Sequence, residues 1–394
     1  MTKQLLGSHR RCARFVAFAA LPLVLSSCSF FDIARLAGDA TAGRDNNTAG
    51  SALARQYIID QLKPIARGAD TTKTGDDAYT QAIPLGTNIL AVIPGTDLAN
   101  QYVMVGAHYD HLGSNCPTSD ASDHICNGAT DNAAGDAAVL AIARSIASQP
   151  TPPRRSILLA FWDREEDGLL GSAYYTQHPI VPLAQTVGYV NFDIQGSDLR
   201  PSLRNTTFAV GAESGGAALQ SAVQSAINAS TLDAVQLSSI FGENRSDYVN
   251  LIHVGVPTVF FSDATGPCYH TAQDQIGVVD FAKLDQQIGI ALHVTRDLAD
   301  TSTPPTFVGS TPLATYDDAL ALARVTERLW NDRDLFSTAD RALLASGRTA
   351  VTAMVARGRD AFSSTDVNTL LSNAAAVVTV LTHGVCDGFI APSQ

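Results

Sequence analysis

Apolar residues recur along this chain in two alternating textures. Short β-rich apolar runs occupy Asn88 to Ile93 (NILAVI), Tyr102 to Ala107 (YVMVGA), Ser156 to Trp162 (SILLAFW), Gly188 to Phe192, and Pro257 to Phe261 (PTVFF). SILLAFW is almost unbroken by polar residues, the mark of a strand buried on both faces. Between these runs lie stretches with apolar residues at helical spacing. They are Ser51 to Leu62, with Ser51 as the expected N-cap, Gly135 to Ser148, and residues 215–228 and 281–298. Pro94-Gly95 marks a turn between the first two strands. Strands alternating with helices predict an α/β fold, a three-layer α/β/α sandwich around a mixed, mostly parallel sheet.

The two ends depart from this texture. Residues 303–312 (TPPTFVGSTP after Ser302) are Pro/Thr/Gly/Ser-rich and read as a linker. Beyond it, residues 315–334, 338–357 and 365–382 are alanine-rich helical stretches, so 313–394 reads as a helical extension. No internal repeat is visible. At the other end, Lys3, Arg10, Arg11 and Arg14 precede the eleven-residue apolar stretch Phe15 to Leu25, too short to span a bilayer and the right length for a secretory h-region. Leu25-Ser26-Ser27-Cys28 then resembles a bacterial lipobox, with Cys28 as the lipidated first residue of the mature chain. Ser29 after it, in place of Asp, favours the outer membrane. The expected organisation is a lipoprotein signal peptide over 1–27, a tether and entry segment over 28–50, the main domain over 51–302, the linker, and the extension.

Composition narrows the picture. With 394 residues, 45% hydrophobic and 16% charged, a packed core is expected and global disorder is excluded. The net charge of −12 argues against nucleic acid as a main partner. With Cys12 in the leader and Cys28 lipidated, Cys116, Cys126, Cys268 and Cys386 remain. An even number in an oxidising compartment reads as two disulfides, with three connectivities open. Cys116 and Cys126 share one polar stretch, so a local bridge is the simplest pairing, leaving Cys268 with Cys386.

No G-x-x-x-x-G-K-[ST], G-x-S-x-G or H-E-x-x-H occurs in the sequence. Acids and histidines instead follow the apolar strands, where an open α/β sheet builds its site. His108-Tyr109-Asp110 follows YVMVGA, Asp131 precedes the alanine-rich helix, Glu165-Glu166 follow SILLAFW, Asp193 follows GYVNF, and His270 lies beyond PTVFF. Taken singly each has a commoner explanation: a solvated turn, an N-cap, a satisfied core histidine. Jointly, two histidines and three acids suit zinc, and suit two zinc ions if one carboxylate bridges.

The segments VGAHYDHLG (105–113), GATDNAAGDAAVLAIAR (128–144), FWDREEDGLLGSAYY (161–175), VNFDIQG (190–196), NRSDYVNLIHVGVP (244–257) and YHTAQD (269–274) resemble the M28 family of di-zinc peptidases. The resemblance covers roughly residues 36–300. It implies that His108 and Asp193 hold one zinc, Glu166 and His270 the other, and that Asp131 bridges both. It also implies that Glu165 is the general base, that Tyr269 stabilises the oxyanion, that Asp110 orients His108, and that the Asp131-Asn132 peptide is cis. Two zinc ions about 3.5–4 Å apart would acidify a bridging water and stabilise the developing oxyanion. The implied activity is aminopeptidase action on peptide substrates, with carboxypeptidase action as the nearest alternative and Arg245 as its candidate carboxylate-binding cation. A catalytically silent binding lipoprotein is the alternative of another class. The 22 residues between His108 and Asp131 form a longer loop than is usual for the resemblance. His111 and His124 within it are expected as polar loop residues and not as ligands.

Overall fold

A computed structural model of the chain describes residues 21–116, 122–384 and 386. The basic n-region and the start of the h-region lie outside these residues. Helix α1 (Leu21–Leu36) is followed by a tight 3-10 stretch (Asp39–Arg44) and by α2 (Ala49–Leu62). The expected tether over 28–50 is therefore corrected to packed structure: Ile33, Leu36 and Arg44 are fully buried and Cys28 is 4% exposed. The small polar residues that suggested a tether serve tight turns, with Ala42, Gly43 and Arg44 all at positive φ. A Cβ on Gly43 would meet the carbonyl oxygens of Gly113 and Cys126 at 2.3 and 2.7 Å. The cap of α2 is corrected too. Thr48 is the N-cap and its Oγ1 accepts from the Ser51 amide at 3.1 Å. Serine and threonine both cap well, so the residue types alone do not choose between them.

Nine strands follow: β1 (Arg67–Gly68), β2 (Thr80–Ile83), β3 (Gly86–Ile93), β4 (Leu98–His108), β5 (Arg155–Trp162), β6 (Thr186–Phe192), β7 (Thr206–Val210), β8 (Asp233–Leu237) and β9 (Thr258–Ser262). They form one sheet in the order β1-β3-β5-β4-β6-β9-β7-β8, with β2 also paired to β3. The central strands β5, β4, β6 and β9 run parallel, and antiparallel pairings β3–β5 and β7–β9 flank them. The helices are α3 (Ala134–Ala147), α4 (Leu170–Gln177), α5 (Gly216–Asn228), α6 (Tyr248–His253) and α7 (Phe281–Asp300), then α8 (Tyr316–Asn331), α9 (Thr338–Ala356) and α10 (Val367–Thr382).

Strand β5 shows why the sandwich has three layers. Ile157, Leu159 and Phe161 belong to one core cluster with residues of α1, α2, α3 and α7. The alternate residues Leu158, Ala160 and Trp162 belong to a second cluster with residues of α6, α8, α9 and α10. Successive side chains of a strand point to opposite faces, so a continuous apolar run requires cover on both. The C-terminal helices supply much of the second cover. No helix among the described residues is long and apolar enough to cross a membrane.

Candidate metal centre and active site

The central strands end level with one another. His108 pairs with Trp162, Ala107 with Phe192, and Phe192 with Phe261. The residues just beyond these pairs converge at the carboxyl ends of the parallel strands. His108 Nε2 lies 3.3 Å from Asp131 Oδ1, 3.4 Å from Asp193 Oδ1 and 3.8 Å from Glu165 Oε2. Opposite, His270 Nε2 lies 3.2 Å from Asp131 Oδ2 and 3.1 Å from Glu166 Oε2. Asp131 thus turns one oxygen to each imidazole. All five expected ligands and Glu165 stand in one cluster.

Among the described residues, two sets of donor atoms lie within 4.8 Å of one another: those of His108, Glu165 and Asp193, and those of His108, Asp131 and Glu166. The buried His270 Nε2 stands close to both carboxylates, and neither contact has the angles of a good hydrogen bond. Four buried or nearly buried acids gathered around two imidazoles suit a cation. Imidazole and carboxylate oxygen together suit zinc.

The two adjacent glutamates differ in charge state. Burial, with Asp193, Asp247 and Glu166 nearby, pushes the Glu165 carboxyl well above its ordinary range against the pull of His108. Burial and Asp131 also act against ionisation of Glu166, but hydrogen bonds from His111 and His270 bring it down to about 2. The two neighbours are thus pushed in opposite directions, Glu165 toward holding a proton and Glu166 toward losing one.

Neighbouring residues fix this geometry. His108 Nδ1 lies 3.2 Å from the Asp110 carbonyl and 3.5 Å from its carboxylate. That carboxylate accepts from the Glu165 amide at 3.1 Å and the Glu166 amide at 3.2 Å, so Asp110 ties the two strand ends together as well as facing His108. The Asp131-Asn132 peptide is cis. Tyr269 stacks on His270 with ring centroids 3.7 Å apart, and Arg245 donates to its hydroxyl at 3.2 Å.

Three functional neighbours were missed. His111, expected as a polar loop residue, is corrected: it is buried and its Nδ1 lies 2.6 Å from Glu166 Oε1. Its place three residues after His108, an expected ligand, was the available signal. His124 is exposed, as expected. Asp274 is fully buried and accepts from the Thr130 amide and hydroxyl at 2.9 Å and from the Asp131 amide at 3.0 Å. Arg44, deep beneath the site, donates to the carbonyls of Tyr109, Leu36, Asn127 and Gly128 at 3.0, 2.9, 2.5 and 3.0 Å. Nothing in its local pattern distinguishes it. Cys116 pairs with Cys126 and Cys268 with Cys386, with Cα separations of 5.1 and 4.9 Å. The first bridge packs with Ala272 and Leu112 beside the His270 loop.

The model of peptidase family M28 matches residues 88–295, a span that contains every residue of the cluster. The chain belongs to peptidase family M28. It is similar to leupeptin-inactivating enzyme 1 of Streptomyces exfoliatus, 30% identical over 178 residues, covering 45% of this chain and 37% of that protein. The chain spans less than half the length of the leading curated relatives it matches. Among solved structures it is similar to the LapA aminopeptidase of Legionella pneumophila, at TM-score 0.57 and 18% identity over 72% of this chain and 74% of that one. It is also similar to the glutaminyl cyclase of Porphyromonas gingivalis, at TM-score 0.56 and 19% identity over 68% and 96%. At these identities the likeness is one of fold.

Proposed function

We propose that this chain is an exported zinc exopeptidase that removes N-terminal residues from peptides. The observation that carries the reading is Asp131, with one carboxylate oxygen toward His108 and the other toward His270. In this reading His108, Asp193, Glu166 and His270 would hold the zinc, with Asp131 shared between the two sides of the site. When bound, zinc supplies Lewis-acid polarisation and an acidified water. Glu165 takes the proton from the attacking water and delivers it to the leaving amine; its carboxyl, pushed up by burial, suits a group that must both accept and donate. Tyr269 and Arg245 present a hydroxyl–guanidinium pair at the rim for the developing oxyanion. Asp110 and His111 hold His108 and Glu166 in place. Arg245 is engaged with Tyr269, which weakens its claim as a carboxypeptidase's carboxylate-binding cation. The glutaminyl cyclase likeness shares the fold with this reading, and the complete carboxylate and histidine set favours hydrolysis.

The lipobox-like sequence supports anchoring of the exported chain through Cys28 to the outer membrane, facing the periplasm. The test of the enzymatic reading is Glu165→Gln. We expect turnover of leucyl-nitroanilide to fall by at least about 10³-fold while metal analysis still finds two zinc ions per chain. Loss of a zinc in this variant would mean that Glu165 is itself a ligand. Wild-type protein with two zinc ions and no aminopeptidase turnover would overturn the reading.

A further inference from the structure

Asp131, Glu165, Glu166, Asp193 and His270 form only one end of a cavity of about 360 Å³. Away from Glu165 and His270 the lining becomes apolar. One side is sheet: Phe208 of β7 and Phe260 of β9. The other is helix: Leu322 and Val325 of α8, and Val377 and Leu381 of α10. The helical pairs are spaced three and four residues apart, so each pair lies on one helix face. Every charged residue of the lining belongs to the metal centre or is Glu243 or Arg245, both exposed.

These helices pack on the same core as the sheet, yet they leave this space open. An apolar void with nothing in it forfeits dispersion contacts along its whole lining. A void that opens onto a reactive centre has a ready occupant, the substrate group next to the scissile bond. The space is ample: an apolar cavity of about 150 Å³ already takes up benzene. Helices α8 and α10 both lie outside the residues that match the family model, 88–295. The far wall is therefore built by the extension and not by the family domain.

We propose that the C-terminal helices are the substrate-selecting wall: Leu322, Val325, Val377 and Leu381 bound a pocket for a large apolar side chain at the peptide's N-terminus and limit its length. This rests on the aminopeptidase reading above. The sequence pattern of residues 313–394 contains no reactive constellation, and a selecting wall needs none.

The experiment uses the full zinc-loaded chain and a panel of Gly, Ala, Leu, Phe, Lys and Glu nitroanilides. Leu and Phe should exceed Ala in kcat/KM by about tenfold or more, with Lys and Glu at the bottom. Val377→Trp, which fills the pocket, should lower the Phe:Ala ratio of kcat/KM by about tenfold, and Val377→Ala should raise the ratio for still larger side chains. A wild type that prefers Ala, Lys or Glu, or a ratio unmoved by both variants, overturns the proposal. If no substrate turns over, the aminopeptidase reading fails by itself, and toluene decides the pocket independently. A thermal upshift by toluene in wild type that is lost in Val377→Trp supports the pocket, whereas equal shifts in both overturn it.

Discussion

Glu165 and Glu166 leave the same strand one residue apart and meet opposite surroundings. Glu166 receives two imidazoles and is held ionised; Glu165 receives none within hydrogen-bonding distance and is pushed toward its neutral form. Nothing in the pair Glu-Glu foretells which is which; the difference arises from His111 and His270, brought in from two other loops. Asp163, at the start of the same turn, offers a cleaner test of such burial. It is fully buried, accepts from the Thr87 amide at 2.7 Å and the Tyr109 hydroxyl at 3.0 Å, and burial together with Asp110 raises it from 3.8 to about 6. Across roughly pH 4 to 6 the unfolded chain releases this proton before the folded chain does. The carboxyl's contribution to stability is therefore full below about pH 4, declines as pH rises through this window, and is constant above it. Asp163→Asn removes the titration. Thermal melts of the variant and wild type at pH 4, 5, 6 and 7 should show a smaller fall with rising pH in the variant; parallel curves would mean that Asp163 is not raised.

At the scale of elements, dense apolar runs and most periodic helical segments were legible, whereas the sixteen-residue α1 was read as leader and tether. β3, β4, β5, β6, β9, α3, α5, α7 and the three terminal helices all appear within a few residues of their expected places. β7 (TTFAV), β8 (DAVQL) and α6 (YVNLIH) were missed: a segment this short registers only as a dense apolar run such as PTVFF, and polar residues interrupt these three. The residues that converge in the cluster could be singled out in the sequence because His108, Glu165, Glu166 and Asp193 each follow an apolar run, while Asp131 and His270 stood out only through their place in the wider pattern. Asp274 and Arg44 were not, because their roles depend on backbone groups that only the fold brings near them. Arg44 is the stronger case. Its guanidinium closes four carbonyl groups drawn from α1, from the loop after β4 and from the loop before Asp131. Arg44→Met should leave buried carbonyls unpaired and destabilise the domain by on the order of 3 kcal/mol or more. Arg44→Lys should recover little of it, since an ammonium lacks the planar fork. Urea unfolding of the three proteins tests this; a lysine variant equal to wild type would show that only the charge matters.

At the scale of the whole molecule, the extension is joined to the centre covalently as well as by packing. Cys268–Cys386 spans 118 residues and stands two residues from His270. In the chain-entropy model a loop of this size contributes about 5 kcal/mol. Cys386→Ser should therefore lower the melting temperature, and it should also speed zinc loss to a chelator, because the backbone beside His270 is released. A lower melting temperature with unchanged zinc kinetics would separate the bridge from the centre. The other end of the chain poses a different question. Cys28 lies buried on α1, so anchoring through it requires the first turn of the shortened helix to come to the surface. The wild type expressed with its leader should partition into the detergent phase and Cys28→Ser into the aqueous phase; a wild type found only in the aqueous phase would exclude the anchor.

The order of the sheet has a consequence for how the chain is made. β9 lies between β6 and β7, although β7 and β8 precede it in sequence. A nascent chain that has emerged only to Val256 can pair β7 with β8, and β4 with its neighbours β5 and β6, but no ladder bond joins the two parts. The strand that unites them is also the one that leads into His270. A chain ending before residue 258 therefore holds a six-stranded part and a two-stranded part with no ladder between them, and lacks His270, so sheet continuity and the full residue cluster both depend on residues 258–270. A chain stalled or clipped before that point should be recognisable to proteases as two unjoined pieces.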